Sequence, residues 1–330
     1  MAQPPPPGVY VPVPTFFLPR SSPSYSSIAS PLDTETQAAH SIHLARSGIK
    51  GLVVLGSTGE AVHLSNEERY TVLKGCRDAL DKEGFADVGI IAGTASQNIP
   101  EVVGQLGEAA RAGSAWGLVL VPGYFAGAST QEGIIEWFKA IANQSPIPIM
   151  IYHYPGVSNS VRVTPQTFTT LSAHPNIVGC KLSHGDISHH AQIALSPHID
   201  HAHFHTFTGL GQQLLPAISI GCQGTIDGTA GFFPKSVVRL YELSVREDVS
   251  GEERKERALL QWRLSGVEEI VVRFGTVGIK ECVARILGFG DRDGTRLPLS
   301  GVAGGDEEWE RWRGSWRWGS LECGVVGMGG

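Results

Sequence analysis

The sequence predicts an α/β chain folded as a (β/α)8 TIM barrel with additional C-terminal helices. Short β-branched runs alternate with longer amphipathic stretches almost throughout, the signature of repeated βα units and a parallel sheet. The runs number eight, and they are almost uniformly apolar, as strands buried on both faces must be. They are Val9 to Val13, Leu52 to Leu55, Gly89 to Ala92, Leu118 to Val121, Ile147 to Ile151, Ile177 to Cys180, His203 to Phe207 and Gly224 to Ile226.

The stretches between them carry helix-start chemistry: Ser65 with Glu68 and Ser129 with Glu132 have capping-box spacing, and Thr164 before Pro165 reads as N-cap and first helical residue. In the second helix Val72, Leu73, Cys76 and Leu80 recur at helical spacing and should face the barrel. After the eighth unit, Glu252 to Leu287 reads as further helix outside the basic barrel. The domain is therefore expected to span 8–298. Leu18 to Pro31 is Ser/Pro-rich and reads as a mobile surface loop, and the Gly/Trp-rich stretch 299–330 as a disordered tail.

Composition narrows the function classes. The 330 residues carry a net charge of −6 with no basic block, so nucleic acid and anionic membrane surfaces are not expected partners. No apolar run approaches the ~20 residues that span a bilayer. Five scattered cysteines without a C-x-x-C pair point to a reducing compartment, and MAQPPPPGVY has the pattern of neither a secretory signal nor an Arg-rich leader, so the expected location is cytoplasmic.

In a parallel barrel the C-terminal strand ends carry the chemistry. Strand six ends in Gly179-Cys180-Lys181, placing an amine where an apolar strand emerges; partial desolvation there would favour the neutral, nucleophilic form. Strand five ends in Tyr152-His153-Tyr154-Pro155-Gly156, bringing a phenol to the same rim, able to relay protons. Strand two ends in Gly56-Ser57-Thr58-Gly59-Glu60, whose hydroxyls and small residues suit an anion.

Together these segments resemble the dihydrodipicolinate synthase and N-acetylneuraminate lyase family of pyruvate-dependent class I aldolases. The carriers are GSTGEAVHLSNEER from Gly56, VPGYF from Val121, IYHYPG from Ile151, HPNIVGCK from His174 and GIKECVARILGFG from Gly278. The resemblance implies an imine on Lys181, proton transfer by Tyr152, and a relay through Ser57 and a Tyr124 that arrives from a neighbouring subunit. It also implies a carboxylate cradle at Ser57 and Thr58, a Gly209 carbonyl facing the bound pyruvyl group, and an apolar wall at Ile226. No metal or organic cofactor is implied. The expected partners are a small 2-oxo acid substrate and further copies of the chain, as a dimer or tetramer.

Departures from the resemblance shape the substrate. Val157 stands where dihydrodipicolinate synthases usually place an arginine, and Leu210-Gly211 where sialic acid lyases usually carry an acidic pair. The GSTGEAVHL loop and HPNIVGCK look closest to 4-hydroxy-2-oxoglutarate aldolases and to aldolases of 2-keto-3-deoxy sugar acids such as 2-keto-3-deoxy-L-galactonate. The expected reaction is cleavage of a 2-oxo-4-hydroxy acid to pyruvate and an aldehyde, with Asp227 and His184 as candidate contacts to the aldehyde half. Two further readings stay in the same family: a dihydrodipicolinate synthase-like condensation of pyruvate with an aldehyde, and a non-catalytic pyruvate-binding barrel. A rival class, a zinc hydrolase, rests on His198, His201, His203 and His205.

Overall fold

The computed structural model describes residues 2–315 and shows eight parallel strands closed into a barrel in the order of the chain. The strands are β1 (Gly8–Pro12), β2 (Gly51–Val54), β3 (Gly89–Thr94), β4 (Trp116–Leu120), β5 (Ile149–His153), β6 (Ile177–Leu182), β7 (His205–Thr208) and β8 (Gly224–Ile226). Each matches one expected run to within two residues. Eight outer helices follow them: α1 (Thr34–Arg46), α2 (Asn66–Lys82), α3 (Ile99–Arg111), α4 (Gln131–Ala142), α5 (Pro165–Ser172), α6 (Ile187–Ala194), α7 (Leu214–Ser219) and α8 (Pro234–Val245).

Why the strands read as continuous apolar runs is visible in how they divide their side chains. Tyr10, Val53, Ile91, Leu118, Met150, Val178, Phe207 and Ile226 fill the barrel interior, while their neighbours join the layer between sheet and helices. On α2, Val72, Leu73, Cys76 and Leu80 are all buried in that outer layer, as the helical spacing predicts.

Local start signals behave as their chemistry dictates, with one correction. Ser65 and Glu68 form a reciprocal capping box, and the Thr164 side chain accepts from the Thr167 amide before Pro165. The start of α4 is different: Thr130, not Ser129, is the N-cap, and its hydroxyl accepts the Gly133 amide. The Ser129 hydroxyl instead donates to the Phe125 carbonyl, which closes the short turn before the helix.

Beyond the barrel, α9 (Gly251–Cys282) is interrupted at Gly275, whose φ of 56° and ψ of −134° break the helical path, and a turn of π-helix follows at Val283–Leu287. The expectation of a disordered tail from residue 299 is corrected over its first part. Gly305–Ser315 form α10, with Trp309 buried in the outer core under the Arg285 guanidinium, 4.8 Å from the ring centre. Two of the four tail tryptophans, Trp316 and Trp318, lie outside the described residues.

The Ser/Pro-rich loop is exposed at its tip but closed at its base. Phe17 bridges Leu32, and the Ser30 carbonyl accepts two hydrogen bonds from Arg296, whose guanidinium also meets Glu68. Among the described residues no helix is long and apolar enough to cross a membrane.

Candidate active site

Lys181 faces the barrel interior because β6 changes phase. Ile177 pairs with Ile149, but Met150 pairs with Gly179, so β6 accommodates one extra residue at Val178. Strict alternation would send residue 181 to the side of Ile177, into the helix layer. After the bulge, Cys180 takes the outward position and Lys181 pairs with the inward Tyr152. Glycine is required there because an added Cβ on Gly179 would lie 2.4 Å from the His205 carbonyl oxygen.

The amine is buried, at 4% exposure, and donates to the Tyr152 hydroxyl at 3.4 Å. Burial lowers its pKa to about 7, with Asp227 and Glu268 opposing that shift. A second buried lysine provides the contrast: Lys280 sits 2.5 Å from the Glu60 carboxylate, a direct ion pair that ties up the amine. Lys181 has its acidic neighbours at longer range and keeps a nucleophilic fraction at neutral pH.

Tyr152 is the hub. Its hydroxyl lies 3.0 Å from the Ser57 hydroxyl. Burial pushes its pKa up to about 12, while the Ser57 and Ser183 hydroxyls beside it pull in the other direction. Ser57 reaches the rim because Leu55 turns with a φ of 64°, an uncommon conformation for a buried leucine that redirects the chain at the end of β2. The Thr276 hydroxyl then donates to the Ser57 carbonyl at 3.0 Å, so the break at Gly275 delivers a clamp from α9 onto this loop.

A cavity of about 490 Å³ opens over this end of the barrel, with Ser57 and Tyr152 at its wall. Lys181 stands one contact further in, behind the Tyr152 hydroxyl. The remaining expected residues divide. Thr58 is buried beside Ser57; Ile226 is fully buried in the inner core; Gly209 packs so closely on Ser183 that an added Cβ would lie 2.0 Å from its hydroxyl oxygen. Tyr124 lines the cavity but is 74% exposed, stacked edge-on with the equally exposed Phe125.

Two expected aldehyde-side contacts do not line this cavity. Asp227 is fully buried below the loop after β7 and does not line the cavity. His184 turns outward into a separate cavity of about 270 Å³, where its Nε2 meets His189 Nδ1 at 3.1 Å.

His153, His184 and His189 are the one group with metal-ligand spacing among the described residues, and every ring nitrogen of the three except the buried His153 Nδ1 already has a hydrogen-bond partner. His189 Nε2 binds the Val163 carbonyl, His153 Nε2 accepts the Val163 amide, and His184 Nδ1 accepts the Asp186 amide. Burial lowers the pKa of His153 to about 4 and of His184 to about 3. The histidines of the rival reading do not converge. His201 binds the Ser196 carbonyl and His203 the His174 carbonyl, while the His205 ring binds the Pro5 carbonyl at the start of β7.

Sequence reasoning missed Thr94, Thr276 and Glu268. Only the glycine inside the α9 pattern hinted that this helix turns back onto the site.

A closed parallel barrel with a buried lysine and tyrosine at its C-terminal rim has the architecture of a barrel enzyme. The chain belongs to the Dihydrodipicolinate synthetase family, whose model matches residues 30–308. It is 33% identical over 286 residues to "Probable 4-hydroxy-2-oxoglutarate aldolase, mitochondrial" of Emericella nidulans, covering 87% of each chain. It is 32% identical over 288 residues to the L-threo-3-deoxy-hexylosonate aldolase of Hypocrea jecorina, covering 86% of this chain and 87% of that one. A crystal structure of a dihydrodipicolinate synthase family protein from Coccidioides immitis superposes with a TM-score of 0.79 at 27% identity, covering 95% of both. The Emericella protein's name places it in mitochondria and lends no support to the cytoplasmic expectation.

Proposed function

We propose that the protein is a Schiff-base class I aldolase that cleaves a 2-oxo-4-hydroxy acid to pyruvate and an aldehyde. The observation that carries this reading is the buried Lys181 amine, free of a direct carboxylate partner and 3.4 Å from the Tyr152 hydroxyl. The neutral amine adds to the C2 ketone, and with uptake of one proton water leaves to give a cationic imine. Tyr152 passes its phenolic proton through the Ser57 hydroxyl to the cavity as it takes the C4 hydroxyl proton and the C3–C4 bond breaks; the bonding pair enters the imine, leaving an enamine of pyruvate and a free aldehyde. The imine is itself the electron sink, so this chemistry calls for no metal or organic cofactor.

The cavity favours one branch of that substrate class. Thr94, Gln97 and Asn159 are among the polar groups of its wall, and the Thr94 hydroxyl is buried with no protein partner. Among the described lining residues there is no lysine or arginine, and the lining carboxylate Glu60 is held by Lys280. A neutral hydroxylated tail, as in a 2-keto-3-deoxy sugar acid, therefore fits better than the second carboxylate of 4-hydroxy-2-oxoglutarate or the acidic partner of a dihydrodipicolinate-type condensation.

Exposed Val62, Tyr124 and Phe125 at the mouth support an oligomer in which a partner copy covers the cavity. The decisive experiment is intact mass after incubation with pyruvate and borohydride. A pyruvyl adduct on Lys181, absent in Lys181→Ala, supports the imine mechanism; no adduct on folded wild-type protein overturns it.

A further inference from the structure

Two buried carboxyl groups with no catalytic assignment lie close enough to Lys181 to oppose the lowering of its pKa. Asp227 is the first residue after β8, its amide donating to the Tyr10 carbonyl at 3.1 Å, and Glu268 reaches in from α9; neither has any solvent exposure. They converge over Gly211, where an added Cβ would lie 2.4 Å from Asp227 Oδ2 and 2.8 Å from Glu268 Oε2. Gly211 thus leaves room for both, which any side chain would fill.

Their hydrogen bonding is incomplete in an informative way. Asp227 Oδ1 accepts the Thr229 amide at 3.0 Å, and Glu268 Oε2 accepts the Thr229 hydroxyl. With both groups ionised, Asp227 Oδ2 and Glu268 Oε1 have no hydrogen-bond donor. Two carboxylates buried against each other strongly disfavour a double charge, so the pair shares one proton and keeps one negative charge. Burial raises the pKa of both groups. Asp227 faces a backbone amide, which can only donate and so favours the carboxylate, whereas Glu268 faces a hydroxyl, which can accept as well as donate; the charge is therefore assigned to Asp227 and the proton to Glu268.

The charged and titratable groups around the pair are Lys181 from β6 and, on α9 itself, Glu269 and Cys282. Of these, Lys181 is the group that gains a positive charge on forming the imine.

We propose that Asp227 and Glu268 are positioning residues: a proton-sharing pair whose single negative charge is the buried counter-ion of the cationic imine on Lys181. This rests on the aldolase reading above. In the free enzyme the pair faces an amine whose pKa of about 7 leaves it only partly charged at neutral pH. When amine, ketone and one proton become imine and water, the new cation finds a fixed anion in a medium of low dielectric, with no solvent reorganisation. Glu268 keeps Asp227 from needing a cation of its own, so the charge stays available for the imine.

The test measures pyruvate trapping by cyanoborohydride across pH in wild type, Asp227→Asn and Glu268→Gln, read by intact mass. Thermal unfolding reports folding, and both substitutions preserve size. Asp227→Asn removes the charge: half-maximal trapping should move to lower pH, because the ammonium loses its anion, and should need about tenfold more pyruvate, because the imine loses it too. Glu268→Gln can still donate to Asp227, so its profile should stay near wild type. Equal shifts in both variants, or none in Asp227→Asn, overturn the counter-ion role. Wild-type protein that takes up no pyruvate overturns the aldolase reading and this role with it.

Discussion

Gly179 and His205 meet so closely that an added Cβ on the glycine would lie 2.4 Å from the histidine's carbonyl oxygen, and this contact sits beside the bulge that turns Lys181 inward. Gly179→Ala should therefore cost both stability and site geometry. We expect a loss of about 1–3 kcal/mol in urea unfolding. Trapping of pyruvate should fall even where the variant is folded. A stable variant that traps normally would separate the bulge from the aim of the lysine.

Lys181→Met should abolish trapping and leave a pH signature in stability. The unfolded chain keeps the lysine proton up to about its ordinary 10.5, whereas the native state keeps it only below about 7. Between those values the native state binds fewer protons, so wild-type stability falls as pH drops from 10.5 to 7, and the loss is complete below 7. The variant lacks this loss. Its stability relative to wild type should improve as pH falls through that window and then level off, as measured by denaturation at a series of pH values. Wild-type trapping should rise through about pH 7 as the amine becomes neutral.

Tyr152→Phe keeps the ring and removes the proton carrier. Turnover should fall by about 10²–10⁴ while pyruvate trapping persists. Ser57→Ala, which removes one hydrogen bond to that phenol, should cost about tenfold. Steady-state kinetics beside trapping yields decides the matter, and equal losses in both assays would assign Tyr152 to folding rather than proton transfer.

Val157 lines the cavity and is 45% exposed, so a longer side chain can enter there. Val157→Arg should raise kcat/KM for 4-hydroxy-2-oxoglutarate relative to a 2-keto-3-deoxy sugar acid by about tenfold, since it supplies a cation for the second carboxylate. Wild type should show the opposite preference, measured by pyruvate release from each.

Trp309→Ala tests α10 as part of the fold. Removing the buried ring and its contact with Arg285 should cost about 3–5 kcal/mol and lower Tm, with kcat retained, because the helix does not line the cavity.

The sequence by itself determined the barrel and most of the reactive set. Eight apolar runs that must be buried on both faces, separated by capped helices, admit few other topologies, and strand ends of a parallel barrel are close in space whatever their separation in the chain. That is why Lys181, Tyr152 and Ser57 were legible as neighbours. Trp309 was not legible, since the glycines around it gave no periodicity for a helix to be read from.

Tertiary structure alone decided the rest. A one-residue bulge at Val178 cannot be seen in a uniformly apolar run, yet it sets which face Lys181 takes. Asp227 looked like a substrate contact because it follows a strand end. It proves to be buried, since Glu268, 41 residues later on a helix broken at Gly275, is brought against it. Tyr124 stands exposed at the cavity mouth, a placement that its loop decides. Local chemistry selects elements and rims; phase, burial and the meeting of distant charges arise only when the closed barrel forces particular side chains together.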